Sequence, residues 1–241
     1  MTKKHQVHNL IILDESGSME SIKGIIINGF NDIVQTVKGI DKEFPEQEHF
    51  ISFITFNSLG LKTIHNKENV KALQPIDEKR FNPDGSTPLY DALGYSFAQL
   101  KRDLENQTEY DVLVTILTDG EENASKEYSG AAIKSIIDGL KLNRWTFTYI
   151  GADHDVERFA SSLSIENSMV FQKNPKDMEK MLAKEKLARI KYSLKIRSND
   201  ESNDDFYGPS TTQEKEPDSI GNPKNKKTWL HHFFGNKQGK I

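Results

Sequence analysis

The sequence of 241 residues contains no cysteine. This absence excludes disulfides, cysteine-ligated zinc and thiol catalysis, although it does not fix the compartment of the protein. A long apolar run near the start of the sequence is also missing, because the apolar run there covers only residues 10–13. Such a run is too short for the core of a signal peptide or for a membrane span. We therefore expect a cytoplasmic protein with no membrane span.

A strong charge of one sign and the common nucleotide-binding motif are absent as well. The formal net charge is −4, which is too small to indicate a nucleic-acid partner. The phosphate-binding pattern G-x-x-x-x-G-K-[ST] does not occur, and neither does the G-x-S-x-G pattern that marks a serine nucleophile. The chain is therefore not itself a P-loop NTPase.

What the sequence does contain is a regular alternation of strand and helix patterns. Strands are predicted over residues 7–13, 48–56, 60–65, 111–118, 145–151 and 169–171. Helices are predicted over residues 19–39, from 88 onwards, 126–142, 153–163 and 174–195. This alternation predicts an α/β protein with a doubly wound, mainly parallel central sheet and helices on both faces. Because only a short loop separates the second strand from the third, we expect one antiparallel hairpin at a sheet edge.

The composition changes near Arg197. From there to Pro223 polar residues, glycine and proline dominate without any hydrophobic period, which is typical of a disordered linker. After three lysines, residues 229–234 then read WLHHFF. We predict one domain over residues 1–196 and a disordered polar linker with a basic and aromatic end over residues 197–241. The aromatic end is either a small docking motif or an unstructured terminus, and both interpretations stay open.

Two buried strand patterns end on an aspartate. The run at residues 10–13 ends at Asp14, with Ser16 and Ser18 close behind it, and the run at residues 112–117 leads through a threonine to Asp119. In parallel sheets, ligands collect just beyond the carboxyl ends of the strands. Three oxygen side chains on one tight loop suit a hard cation such as Mg²⁺. The sequence therefore predicts a cation site at this edge of the sheet.

Three segments carry a family resemblance. They are D-E-S-G-S at residues 14–18, G-S-T-P-L-Y-D at residues 85–91 and L-T-D-G-E-E-N at residues 117–123. The arrangement resembles the von Willebrand factor type A (vWA) family, whose metal-ion-dependent adhesion site combines D-x-S-x-S with a distant threonine and a distant aspartate. The resemblance covers residues 7–195 and departs at Ser86, where many relatives carry glycine. It implies a Rossmann-like vWA fold of the stand-alone intracellular bacterial type, similar to proteins associated with tellurium resistance and stress response.

The resemblance also implies roles for five residues. The hydroxyls of Ser16 and Ser18 would ligate Mg²⁺ or Mn²⁺ directly, Thr87 would do so directly or through water, and Asp14 and Asp119 would act largely through water and through hydrogen bonds to the serines. Neutral hydroxyl ligands leave the ion electrophilic toward an outside carboxylate. We expect a non-enzymatic adaptor or scaffold module whose cation bridges the site to an Asp or Glu of a partner protein, in an ATPase or stress-response complex.

Each of these residues also has a plain structural interpretation. Asp14 and Asp119 are competent helix caps, Ser16 and Ser18 are common turn residues, and Thr87 is placed to cap a helix that begins at the following proline. A structural domain with a vestigial site would show the same residues. Taken singly, either aspartate fits a helix cap better, but the five residues taken jointly with the family resemblance favour the metal site. Competent ligands at all five positions also argue against a vestigial site.

A Mg²⁺-dependent phosphoryl-transfer enzyme of haloacid-dehalogenase-like type is the alternative from another functional class. That family uses D-x-D, and here Ser16 stands where the second aspartate would act as acid and base.

Four further acidic residues lie in the three segments. We place Glu15, Glu121 and Glu122 on a solvated rim, and we expect Asp91 to stabilise the dipole of its own helix.

Overall fold

The computed structural model describes residues 4–152, 154–200 and 205–208, and a six-stranded sheet forms its centre. The strands are β1 (His5–Asp14), β2 (Gln47–Asn57), β3 (Gly60–Asn69), β4 (Tyr110–Thr118), β5 (Trp145–Gly151) and β6 (Asn167–Val170). Their order is β3-β2-β1-β4-β5-β6. The pair β2–β3 is antiparallel and the other described pairs are parallel. The predicted mainly parallel sheet with one antiparallel edge strand is confirmed.

Helices cover both faces of this sheet, as the alternating pattern predicts. They are α1 (Lys23–Glu43), α2 (Leu89–Asp103), α3 (Gly130–Lys141), α4 (Val156–Ser162) and α5 (Pro175–Arg197). Leu10 and Ile12 of β1 pack into an apolar cluster with α2, α3 and α4. Ile11 and Leu13 pack into a second cluster with α1 and α5. Among the helices of the described ranges, none combines the length and the apolar character that crossing a membrane requires.

Strand β1 lies at the point where the strand order reverses. Its neighbours are β2 on one side and β4 on the other, and both pairs are parallel. In doubly wound sheets, the crevice for ligands opens at such a switch point, outside the carboxyl ends of the strands. Leu13 lies opposite Leu117 in the register. The chain therefore leaves β1 and β4 at the same edge, where the two predicted aspartates follow.

The first helix differs from its prediction at both ends. A 3-10 turn occupies Gly17–Ile22, and α1 continues to Glu43, beyond the glycine at which we expected it to end. A Cβ at Gly39 would meet open space, while Ile40 and Phe44 are buried and extend the apolar face by one turn. The helix ends before Pro45 because a residue that precedes proline disfavours helical backbone.

The predicted start of the third helix at residue 126 is wrong, because Asp91 holds the preceding loop. Its carboxylate accepts the backbone N–H groups of Lys126, Glu127 and Tyr128 at 2.8–2.9 Å. Ser129 then caps α3 by accepting the N–H of Ala132. Asp91 lies in the first turn of α2, as expected, and it also anchors this loop.

The last described residues return to the sheet. Helix α5 begins as predicted, with Asn174 accepting the N–H of Asp177 at 3.0 Å, and it ends at Arg197. Further along, Phe206 is buried with its ring 6.0 Å from that of Tyr192. Most of the predicted linker over residues 197–241, including the aromatic motif at 229–234, lies outside the described residues.

Candidate metal site

The two predicted aspartates lie together at the carboxyl edge of β1 and β4. Asp14 is the last residue of β1, and Asp119 directly follows the last residue of β4. Both side chains are buried. Two buried carboxylates at one edge of a sheet concentrate negative charge where a ligand crevice is expected.

Hydrogen bonds join four of the predicted residues. Asp14 accepts the backbone N–H of Ser16 at 2.7 Å through Oδ1 and the hydroxyl of Thr118 at 2.6 Å through Oδ2. The Oγ atoms of Ser16 and Ser18 are 3.1 Å apart, and the hydroxyl of Ser18 donates to Asp119 Oδ1 at 2.6 Å. A continuous row of side-chain oxygens therefore runs from the loop after β1 to the loop after β4.

Thr87 joins the group from a third loop. The N–H of Gly17 donates to the carbonyl of Gly85 at 3.1 Å, which holds residues 84–88 against the loop after β1. The N–H of Thr87 donates to Asn123 Oδ1 at 2.9 Å, and the N–H of Asn123 donates back to the Thr87 carbonyl at 3.1 Å. A Cβ built on Gly120 would lie 3.9 Å from Thr87 Oγ1. The structure thus places all five predicted residues in one cleft.

The loop after β4, and not Thr87, caps helix α2. Glu122 Oε2 accepts the N–H of Tyr90 at 2.9 Å, and Ser125 Oγ accepts the next N–H of the helix at 3.1 Å. Our expectations of a capping Thr87 and of a solvated Glu122 are therefore wrong. Glu122 thus holds the first turn of α2, and its neighbour Asn123 holds Thr87. Local sequence patterns do not indicate these contacts, because Glu122 lies 32 residues from Tyr90 in the chain and Asn123 lies 36 residues from Thr87.

Glu15 is also buried and does not line a solvated rim. Its carboxylate accepts the hydroxyl of Thr55 at 2.6 Å, the backbone N–H of Asn82 at 2.5 Å and the ammonium of Lys62 at 3.0 Å. These bonds tie the loop after β1 to β2, to β3 and to the loop that carries Thr87. Glu121, in contrast, is exposed, as we expected.

The electrostatics of the cleft favour a cation. The pKa of Asp14 is raised from 3.8 to about 6, mainly because the carboxyl is buried and in smaller part because of the charge of Asp119, while the hydrogen bonds from Thr118 and Ser16 act in the opposite direction. A raised carboxyl pKa means that the ionised form lacks the stabilisation it has in water. A cation placed beside both carboxylates would supply that stabilisation.

The row of oxygens fits a small divalent ion. Mg²⁺ binds six oxygens at about 2.1 Å, so neighbouring ligands of an octahedron lie about 3 Å apart. The 3.1 Å between the Oγ atoms of Ser16 and Ser18 matches that spacing. In the described part of the chain, no three His, Asp or Glu side chains converge as a metal-binding group. A cation in this cleft would therefore depend on hydroxyl ligands.

Replacing Gly85 with alanine is expected to lower the free energy of unfolding by about 2 kcal/mol. Gly85 has φ of +70°, and an added Cβ would lie 2.3 Å from Ser58 Oγ. Relief of that contact would shift the loop that carries Thr87. Urea unfolding measures the loss, and Gly139→Ala is the control, because its Cβ meets open space in α3 and should raise stability by up to about 1 kcal/mol. A fully stable Gly85→Ala protein would contradict the prediction.

No protein-family model and no curated protein match this chain. Among solved structures, the pilus adhesin SpaC from Lactobacillus rhamnosus GG, in its open conformation, aligns with a TM-score of 0.56 and 15% identity over 79% of this chain and 31% of SpaC. The PilB minor pilin from Streptococcus sanguinis aligns with a TM-score of 0.55 and 14% identity over 80% of this chain and 63% of PilB. The chain thus spans less than two thirds of either protein.

A third solved structure carries the vWA name. The SpRpn10 VWA domain aligns with a TM-score of 0.49 and 14% identity over 73% of this chain and 93% of that domain. At identities this low, the likeness to SpaC and PilB concerns the fold alone. The chain therefore has an α/β fold that it shares with parts of two pilus proteins, with the sheet and helices that the vWA resemblance implies.

Proposed function

We propose that this chain is a vWA-type protein-binding module that depends on a divalent cation, Mg²⁺ or Mn²⁺, and uses it to bind a carboxylate of a partner protein. The observation that carries the proposal is the row of oxygens from Ser16 through Ser18 to Asp119 at the switch point of the sheet, with Asp14 bound to the backbone N–H of Ser16. Thr87 lies beside it on a loop fixed by Asn123.

The roles of the residues follow from their contacts. Both oxygens of Asp14 already accept hydrogen bonds, so this carboxylate would orient the serine loop and act on the ion through water. The hydroxyls of Ser16 and Ser18 would hold the ion directly, and that of Thr87 would do so directly or through water. The bound ion would supply an electrophilic centre for an Asp or Glu of the partner.

The residue type at position 16 argues against phosphoryl transfer. In the haloacid-dehalogenase-like alternative, Asp14 would be the nucleophile, and the residue two positions further on would supply the acid and base. That residue is Ser16, whose hydroxyl does not ionise near neutral pH and so does not serve as that acid and base. We therefore favour binding over catalysis, in an adaptor that serves a cytoplasmic ATPase or stress-response complex.

Replacing Asp119 with alanine is expected to weaken Mg²⁺ binding by about 10- to 100-fold, because it removes one end of the oxygen row and the acceptor for Ser18. The fold should survive, since this polar side chain belongs to neither apolar cluster of the core and its loss opens no apolar cavity. Isothermal titration with MgCl₂ and with MnCl₂ measures the change.

Glu121→Ala is the matched control, because it removes a carboxylate two residues away that is exposed. This variant should bind Mg²⁺ nearly as the unchanged chain does. Equal Mg²⁺ affinity in Asp119→Ala and in the unchanged chain would contradict the assignment of the site.

The bridging role requires a separate experiment. Tagged unchanged chain and Asp119→Ala are each incubated with lysate of the source cell, once with Mg²⁺ and once with EDTA. A partner held only by the unchanged chain with Mg²⁺ supports the proposal. A partner retained in all four samples would show that binding uses another surface.

A further inference from the structure

Lys173 reaches the candidate metal site from a different part of the chain. It lies between β6 and α5, next to the capping residue Asn174. Its ammonium is 2.8 Å from Asp119 Oδ2, and the lysine side chain is 22% exposed while the aspartate side chain is fully buried. Among the described residues, no donor meets hydrogen-bond geometry at this oxygen, so the contact is an ion pair.

This ion pair completes the surroundings of Asp119. One carboxylate oxygen accepts the hydroxyl of Ser18, and the other faces the ammonium. The protein thus brings a positive charge of its own to the carboxylate that closes the oxygen row. A divalent ion in the same cleft would be repelled by this ammonium, because like charges a few ångströms apart interact strongly where water is partly excluded.

We propose that Lys173 is the residue that sets the cation affinity of the site: its ammonium neutralises Asp119 in the metal-free protein and is displaced when a divalent cation binds. This inference rests on the proposed function. Removal of the ammonium leaves Asp119 with the hydroxyl of Ser18 as a donor but without the positive charge of Lys173, and a bound cation would supply a positive charge in its place. The lysine therefore stabilises the metal-free state and weakens the binding of the ion.

Isothermal titration with MgCl₂ tests the proposal on the full chain and its variants at constant ionic strength. Lys173→Met keeps the length of the side chain and removes its charge, and we expect it to bind Mg²⁺ about tenfold more tightly than the unchanged chain. Lys173→Gln should change the affinity in the same direction. Lys176→Met removes an exposed positive charge from the first turn of α5 and should stay within about twofold of the unchanged chain.

Thermal unfolding gives a second readout. It also applies to a variant that is poorly folded without metal, because Mg²⁺ binding then appears as an increase in melting temperature. Metal-free Lys173→Met should melt at a lower temperature than the unchanged chain, and Mg²⁺ should raise its melting temperature by more, since ligand stabilisation grows with affinity. Equal or weaker Mg²⁺ binding by Lys173→Met would overturn the inference while leaving the proposed function in place. Mg²⁺ binding by Lys173→Met, with no measurable Mg²⁺ binding by the unchanged chain, would also support the inference.

Lysine labelling tests displacement directly. The full chain is acetylated with an amine-reactive ester with and without MgCl₂, and peptide mass spectrometry follows each lysine. We expect Mg²⁺ to raise the labelling rate of Lys173 several-fold and to leave that of Lys176 unchanged, whereas Asp119→Ala should show no response to Mg²⁺. An unchanged rate at Lys173 in a chain that titration shows to bind Mg²⁺ would overturn the inference. Absence of Mg²⁺ binding in the unchanged chain and in every Lys173 variant would overturn the proposed function and this inference together.

Discussion

Replacing Arg189 with alanine is expected to lower the free energy of unfolding by about 3–5 kcal/mol. Arg189 lies on α5, and only 2% of its side chain is exposed. Its guanidinium donates to Asn9 Oδ1 at 2.9 Å and to Thr115 Oγ1 at 2.7 Å, and it pairs with Glu185 at 2.8 Å. Truncation would leave the buried carboxylate of Glu185 without its positive partner, which costs far more than a lost surface contact.

This network docks α5 on the sheet. Asn9 and Thr115 belong to β1 and β4, and the hydroxyl of Tyr207 donates to the second oxygen of Glu185 at 2.8 Å. Apolar side chains of the same helix, such as Met178, Met181 and Ala188, pack into the core beside this network. Because Lys173 lies just before α5, the network also determines where that ammonium reaches the metal site.

Urea unfolding of the full chain measures the effect of Arg189→Ala. Lys191→Ala is the matched control on the same helix, because that lysine is exposed, and it should change the stability by less than about 0.5 kcal/mol. A double variant with methionine at positions 185 and 189 should recover most of the loss, since neither buried charge remains. A loss below about 1 kcal/mol in Arg189→Ala would show that the buried pair contributes little.

The sequence predicts the location of the candidate site well, because the reasoning rests on strand ends. Asp14 and Asp119 each follow an apolar run, and parallel strands bring such ends to one edge. Thr87 required the family resemblance, since its loop is not the end of a strand. The structure places these residues together, and whether they bind a cation stays a prediction.

The sequence does not reveal the contacts that support the site. Glu185 and Arg189 have the spacing of an exposed ion pair on a helix, which gives no sign of burial. Lys173 looks like one of many surface lysines, and Glu122 resembles a solvated loop residue. Each acts on a partner far away in the chain, and local patterns carry no information about such contacts.

Lowering the pH from about 7 to about 4.5 is expected to reduce the stability of the metal-free protein by about 3 kcal/mol. The pKa of His8 is lowered from 6.5 to about 3, mainly because the imidazole is buried and in smaller part because of the charges of Lys67, His49 and His5. Burial likewise lowers the pKa of His49 to about 4; Asp41 raises it, while Arg189 and His5 lower it. Both imidazoles are therefore neutral in the folded protein.

The sign of the effect follows from proton binding. Below about pH 6.5 both histidines are protonated in the unfolded chain but not in the folded protein. The free energy of unfolding therefore decreases as the pH is lowered, until the pKa values of the folded protein are reached. At about pH 4.5 the two histidines together cost about 5 kcal/mol. Asp14 acts in the opposite direction, because its folded pKa of about 6 exceeds its ordinary value of 3.8. Its protonation in the folded protein returns about 2 kcal/mol over the same range.

Urea unfolding at a series of pH values, in EDTA so that no cation acts on Asp14, measures this dependence. His8→Phe keeps an aromatic ring to stack on Phe50, where the two rings now lie 5.0 Å apart, and removes one titrating group. Its stability should fall less steeply between about pH 6 and pH 4.5, by about 1.4 kcal/mol per pH unit, because one proton fewer binds on unfolding. If His8→Phe keeps the full pH slope of the unchanged chain, the acid sensitivity does not come from the imidazole buried in β1.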